Sequence, residues 1–151
     1  PVTGDRVEFL TSPLSGDRGP LVFRTTLAPR AKGSPLDLHR TMAETFAVER
    51  GGFSLLLPDG NIRAMEAGDT VEVPAGATHG FRNDTDSETR FLTTATPGEG
   101  FERFLRVMFA LAEHGHTTRD GLPTDPRALA LTLVYADLVL AGAPRAVQSA
   151  L

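Results

Sequence analysis

The sequence predicts an all-β sandwich or barrel followed by helices, and two observations indicate this. Up to about Pro97, short runs of alternating apolar and polar residues are separated by Gly, Pro and Asp. Short strands divided by frequent turn signals are typical of β sandwiches and barrels. Beyond Gly98 the apolar residues recur at helical spacing instead. We therefore assign residues 1–97 to a β-barrel and residues 98–151 to a helical extension of the same domain, packed on the barrel or on a dimer partner.

Alternation marks the individual strands. Val7 and Phe9 alternate with Arg6 and Glu8, which predicts a strand with one apolar face. An apolar strand from Phe53 ends in a Pro-Asp-Gly turn, in which glycine can adopt a positive φ. Further strands are predicted over residues 21–27, 70–73 and 91–95.

Two helices are predicted in the extension. The first covers residues 101–114, and the second covers residues 125–141, with Asp125 as N-cap, Pro126 at the first helical position and Gly142 as the stop. The second helix is apolar around most of its circumference, so it needs burial on two sides. The barrel covers one side, and a second copy of the chain would cover the other, which predicts a homodimer. Residues 143–151 resemble the start of a third helix.

Composition excludes several classes of function. The chain has no cysteine, so any metal must be bound by nitrogen and oxygen ligands. Its net charge is −4 and its basic residues form no stripe, which argues against nucleic-acid binding. No apolar run reaches the ~20 residues of a membrane helix, and the first residues lack the apolar region of a secretion signal. A cytoplasmic protein is expected, and the single lysine among many arginines suggests a bacterial source.

Two segments carry a recognisable spacing of Gly, Pro, His and acidic residues. The later one runs from Gly68 to Asn83 and contains Pro74, Gly76 and His79. The earlier one runs from Asp37 to Gly51 and contains His39 and Glu44. Together they resemble the two signature motifs of the cupin superfamily. The later segment matches that pattern at every fixed position, whereas the earlier one departs at Asp37, where the family usually has the first His.

The resemblance implies a double-stranded β-helix, or jelly-roll barrel, of the small cupin-2 type. It also implies one divalent metal ion, Fe, Mn, Ni or Zn, held by Asp37, His39, Glu44 and His79. Asp37 in place of an imidazole makes the ligand set harder and favours Mn or Fe(II). The expected ligand is a small oxygenated organic molecule, and the expected chemistry is flavonol dioxygenase-like or isomerase-like with Glu44 as the catalytic base.

Strand periodicity agrees with this ligand set. Asp37 and His39 are two residues apart and therefore point to one face of a strand. By the same parity Glu44 shares its face with Phe46 and Val48, and His79 shares its face with Phe81. We therefore predict that these apolar residues line a pocket beside the metal. Inside a barrel a cation offsets the cost of burying two carboxylates.

A metal-free alternative stays open for the same residues. Asp37 and His39 would then hydrogen-bond each other or a ligand, Glu44 would be a solvated strand-end carboxylate, and His79 a core histidine. The departure at Asp37 and the lack of a second catalytic signature favour a small-molecule-binding barrel without catalysis. The remaining pair, His114 and His116, falls at a helix end and is expected to be exposed.

Overall fold

The structure is a computed structural model that describes residues 4–17 and 19–140. Its strands form two antiparallel sheets of five strands each. The strands are β1 (Arg6–Thr11), β2 (Leu21–Leu27), β3 (Ser34–His39), β4 (Ala43–Arg50), β5 (Gly52–Leu56), β6 (Ile62–Glu66), β7 (Thr70–Val73), β8 (His79–Arg82), β9 (Thr89–Thr96) and β10 (Leu138–Leu140). The helices are α1 (Glu99–Glu113) and α2 (Pro126–Tyr135).

Each sheet joins strands that are distant along the chain. The first has the order β1-β2-β9-β4-β7 and the second the order β10-β3-β8-β5-β6. Consecutive strands β2 and β3, and again β3 and β4, therefore lie in opposite sheets. This alternation wraps the chain into a double-stranded β-helix with a C-terminal helical part and confirms the fold class predicted from the sequence.

The apolar core lies between the two sheets. Phe46 of β4 and Phe53 of β5 face each other across the barrel, with ring centroids 6.2 Å apart. Phe91 packs on both rings, at 6.0 Å from Phe46 and 4.8 Å from Phe53. Glu44, Phe46 and Val48 are all buried, as their shared parity on β4 predicts.

A close approach at Gly33 brings β3 and β8 together. Gly33 has φ +62, and a Cβ atom there would collide with the carbonyl oxygen of Phe81 on β8. Only glycine meets both requirements without strain. The pairing that follows places Asp37 directly opposite His79.

The second helix is shorter than its sequence pattern predicts. Asp125 caps α2 as expected, since its side chain accepts a hydrogen bond from the backbone N–H of Arg127. The helix ends at Tyr135, because Asp137 adopts a left-handed φ of 50 and the next residues pair with β3 as β10. The helix expected over residues 125–141 is therefore wrong beyond Tyr135, where Leu138–Leu140 form a strand instead. The stop at Gly142 and the third helix at 143–151 fall outside the described residues.

Buried Glu102 fixes α1 to the barrel. Its carboxylate accepts hydrogen bonds from Ser12 Oγ, the Leu14 N–H and the Arg106 guanidinium. Burial acts to raise the pKa of Glu102, but these donors outweigh it and the pKa is lowered. The helix is therefore tied to the turn that follows β1 (Pro13–Ser15). Neither this helix nor α2 is long and apolar enough to cross a membrane.

Candidate functional site

Four titratable side chains meet in the barrel interior. Asp37 and His39 come from β3, Glu44 from β4 and His79 from β8. Their exposed fractions are 5%, 3%, 4% and 4%, so all four are buried. The structure thus brings together every residue of the predicted ligand set.

Glu44 is at the centre of this four-residue cluster. Its Oε2 atom lies 3.0 Å from His79 Nε2 and 3.4 Å from His39 Nε2. His39 Nε2 also lies 3.5 Å from Asp37 Oδ2. Both imidazoles therefore direct the same ring nitrogen towards carboxylate oxygens.

The other ring nitrogens face backbone carbonyls. His39 Nδ1 donates to the Ala136 carbonyl at 2.8 Å, and His79 Nδ1 donates to the Ala77 carbonyl at 3.2 Å. A carbonyl oxygen only accepts, so each Nδ1 carries hydrogen. Because each Nε2 in turn faces an ionised carboxylate, the hydrogen bonds are satisfied when both rings are doubly protonated. The cluster then holds two positive and two negative charges.

The pKa values of the cluster agree with this charge pattern. Burial acts to lower the pKa of each imidazole, but the Glu44 carboxylate beside both rings outweighs burial and raises it. Burial also acts to raise the pKa of Glu44, yet the hydrogen bonds from the two rings lower it to about 2. Burial raises the pKa of Asp37 to about 6, because the imidazolium charges only partly oppose it.

The cluster is not a preformed metal site. Within the parts of the chain that the structure describes, no group of three or more His, Cys, Asp or Glu side chains is arranged to hold a metal ion. The four side chains are close enough together, but their donor atoms pair with one another rather than facing a common point. Two nitrogen and two carboxylate ligands nevertheless have the chemistry that first-row divalent metals accept.

The segment after α2 holds the strand that carries Asp37 and His39. Leu138 pairs with His39, and Leu140 pairs with Asp37, along the β3–β10 ladder. Asp137 Oδ2 accepts hydrogen bonds from the backbone N–H and the hydroxyl of Thr41, both at 2.7 Å. Together with the Ala136 carbonyl, these contacts fix the orientation of the His39 ring.

A cavity of about 260 Å³ lies beside the cluster. The barrel supplies one wall, which includes Phe46, Phe81 and all four residues of the cluster. The predicted pocket residue Val48 lies further along β4 in the apolar core, and it is not among the residues that line this cavity. The opposite wall comes from the C-terminal part of the chain, mainly from one face of α1 (Phe101, Phe104, Leu105, Met108 and Phe109).

Sequence reasoning did not assign these α1 residues to the site. Their helical spacing was visible, but it indicates only that one face of the helix is buried, and not what it covers. Phe101 comes closest to the cluster, with its ring edge-on to that of His39 at a centroid distance of 5.0 Å. The exposed residues His114 and His116, at the end of α1, do not line the cavity. His114 Nδ1 donates a hydrogen bond to the Ala110 carbonyl of its own helix.

Comparison with known proteins finds one matching family model. Residues 23–95 match the cupin domain family Cupin_2. These residues run from β2 to β9 and contain the whole cluster. The matched part of the chain is therefore a small cupin-2-like domain. No curated protein matches the chain.

Solved structures agree with the family match. A sugar phosphate isomerase from Silicibacter pomeroyi is 29% identical, with a TM-score of 0.55 over 62% of this chain and 60% of that chain. The polyketide cyclase RemF from Streptomyces resistomycificus is 24% identical, with a TM-score of 0.55 over 60% of this chain and 63% of that one. The matched region thus spans less than two thirds of either protein. A double-stranded β-helix protein from Klebsiella pneumoniae is 19% identical, with a TM-score of 0.56 over 65% of this chain and 82% of that one.

Proposed function

We propose that this cupin binds one divalent metal ion through Asp37, His39, Glu44 and His79 and acts on a small oxygenated organic molecule in the adjoining cavity. The observation that carries the proposal is the convergence of two imidazoles and two carboxylates on the buried wall of a cavity. The metal is Fe, Mn, Ni or Zn, since the donor set contains nitrogen and oxygen alone.

The distances between the donor atoms support this assignment. At metal–ligand bonds of roughly 2.0–2.2 Å, neighbouring ligands around one ion lie about 3.0–3.5 Å apart. Three of the four His–carboxylate pairs in the cluster are separated by 3.0, 3.4 and 3.5 Å. Binding therefore requires the four side chains to turn towards a common point.

A divalent metal held by Asp37, His39, Glu44 and His79 would supply Lewis-acid chemistry at an oxygen atom of the substrate. Glu44 is the proposed base. While both imidazoles donate to it, its pKa of about 2 makes it a weak base. It gains basicity once the ring nitrogens turn to another partner. The proposed reaction is dioxygenase-like or isomerase-like, and the same residues would serve either one.

A second candidate function is a metal-free barrel that binds a small molecule without catalysis. It is favoured by the direct pairing of Glu44 with His79 and by the missing preformed metal geometry among the described residues. In that case the cluster is a network of ion pairs on the cavity wall, and its net charge is zero. It then provides hydrogen-bond donors and acceptors to the ligand.

Metal content separates the two functions. Protein purified without a His tag is expected to retain or take up about one equivalent of Fe, Mn, Ni or Zn by elemental analysis. His39→Ala and His79→Ala are expected to hold less than about 0.1 equivalent, because each removes a ligand. The paired control is His114→Ala with His116→Ala, which deletes two exposed imidazoles. Wild-type protein that takes up none of the four metals would reject the metal-dependent function.

We also propose that the chain is a homodimer that buries one face of α2. Leu131, Val134 and Tyr135 are 58%, 52% and 45% exposed and lie on adjacent turns of this helix. Analytical ultracentrifugation should give about twice the chain mass of 16.1 kDa. Val134→Arg should give the monomer, whereas Leu10→Arg, at an exposed position on β1, should not. A wild-type species of single-chain mass at micromolar concentration would end this proposal.

A further inference from the structure

The cavity beside the cluster has an unusual charge pattern. The acidic residues on its walls are Asp5, Asp37, Glu44 and Asp120, and of the described residues that line it none is Lys or Arg. Asp120 is paired with Lys32 at 2.7 Å, and both side chains are largely exposed. Among the described residues that line the cavity, the two imidazoles are the remaining nitrogen-bearing side chains, and both already face the carboxylates of Glu44 and Asp37.

An anionic ligand would therefore lose its hydration without gaining a free counter-charge. Carboxylate and phosphate sites normally supply an arginine fork, a lysine or a helix N-terminus for this purpose. Without such a group, burying an anion here is costly.

The rest of the lining is aromatic and aliphatic. Six phenylalanines line the cavity, three from the barrel strands and three from α1. Rings from both walls approach the polar cluster directly, Phe101 at 5.0 Å from His39 and Phe46 at 5.8 Å from His79. Rings arranged in this way favour another ring between them through edge and offset contacts.

The volume limits the size of the occupant. A dry apolar cavity of about 150 Å³ holds one benzene ring. A volume of about 260 Å³ therefore fits a substituted single ring or two fused rings. The polar cluster lies on one wall, so a ligand oxygen bound there leaves the ring in the apolar part.

From these observations we infer that the ligand is an uncharged aromatic molecule of one or two rings that directs a hydroxyl or carbonyl oxygen to His39, Glu44 and His79. The inference rests on the proposed function only in taking this cavity as the binding site. It sets the substrate class by charge and ring character, and it excludes carboxylates and phosphates of the same size.

Matched probes test charge and ring character separately. 2-Naphthol is uncharged at pH 7, since phenols ionise near pH ~10, whereas 2-naphthoate is ionised. In equilibrium dialysis 2-naphthol is expected to bind about tenfold or more tightly than 2-naphthoate. Decahydro-2-naphthol, which keeps the hydroxyl and loses the aromatic rings, is expected to bind several-fold more weakly than 2-naphthol.

Substitutions at two neighbouring residues of α1 test whether 2-naphthol binds in the cavity. Met108 lines the cavity, and Val107 is 37% exposed and does not line it. Met108→Trp fills the cavity and should abolish 2-naphthol binding, whereas Val107→Trp should leave it unchanged. Circular dichroism of both variants checks that the fold is kept.

Dialysis of metal-loaded and metal-depleted protein separates this inference from the proposed function. Naphthol bound in the cavity by protein that takes up no metal supports the ligand class and rejects metal dependence. Three results would overturn the ligand class. They are equal or tighter binding of 2-naphthoate, no binding of 2-naphthol to metal-loaded protein, and 2-naphthol binding that persists in Met108→Trp.

Discussion

Replacing Glu44 with glutamine is expected to weaken metal binding by about 100-fold or more, measured by competition with a chelator of known affinity. Glu44 Oε2 lies within 3.4 Å of both imidazole Nε2 atoms, so this one carboxylate contacts both nitrogen ligands. Glutamine has nearly the same shape but carries no charge. It leaves the buried cluster with one negative charge fewer, and a divalent cation is then poorly balanced.

The control for this change is Glu49→Gln on the same strand. Glu49 has a partly exposed side chain that pairs with Arg24 at 2.8 Å on the outside of the barrel. It belongs to neither the cluster nor the cavity, so its replacement should leave metal affinity unchanged. If Glu44→Gln binds metal as tightly as Glu49→Gln, Glu44 is not a ligand.

Strand parity was sufficient to predict which side chains share a face. Asp37 with His39 and Glu44 with Phe46 are each two residues apart, and a strand turns such pairs to the same side. Motif spacing then placed His79 with the others, and its pairing opposite Asp37 agrees with that. The candidate site was therefore predictable because Asp37, His39 and Glu44 lie where burial alternates along their strands, and because the motif spacing supplied His79.

The contacts from the C-terminal part were not predictable in this way. The hydrogen bond from His39 to the Ala136 carbonyl joins residues 97 positions apart and involves only backbone on one side. No residue type at position 136 signals it. The apolar run after Asp125 is compatible with a longer helix, and only pairing with the exposed edge of β3 makes its last residues a strand. Tertiary pairing of this kind overrides local preference.

The protonation of the two imidazoles leads to the last prediction. Each ring has both nitrogens against an oxygen acceptor, and the pKa of each is raised. A metal ligand nitrogen must be free of its proton. Binding of one divalent ion near pH 7 is therefore expected to release about one proton from His39 and one from His79. Two released protons mean that the apparent affinity rises by about 100-fold per pH unit.

Calorimetry in buffers of different ionisation enthalpy counts these protons directly. Below pH ~6 the apparent metal affinity should change more steeply with pH. The reason is that Asp37, with its pKa raised to about 6, then also holds a proton that must leave when the metal binds. At high pH the apparent metal affinity should depend less on pH, because the imidazoles have already lost their extra protons before the metal binds. Asp37→Asn should remove the extra steepening and keep the release near pH 7. Metal binding with no release of protons would show that both rings are neutral, which contradicts the charge balance derived from their hydrogen bonds.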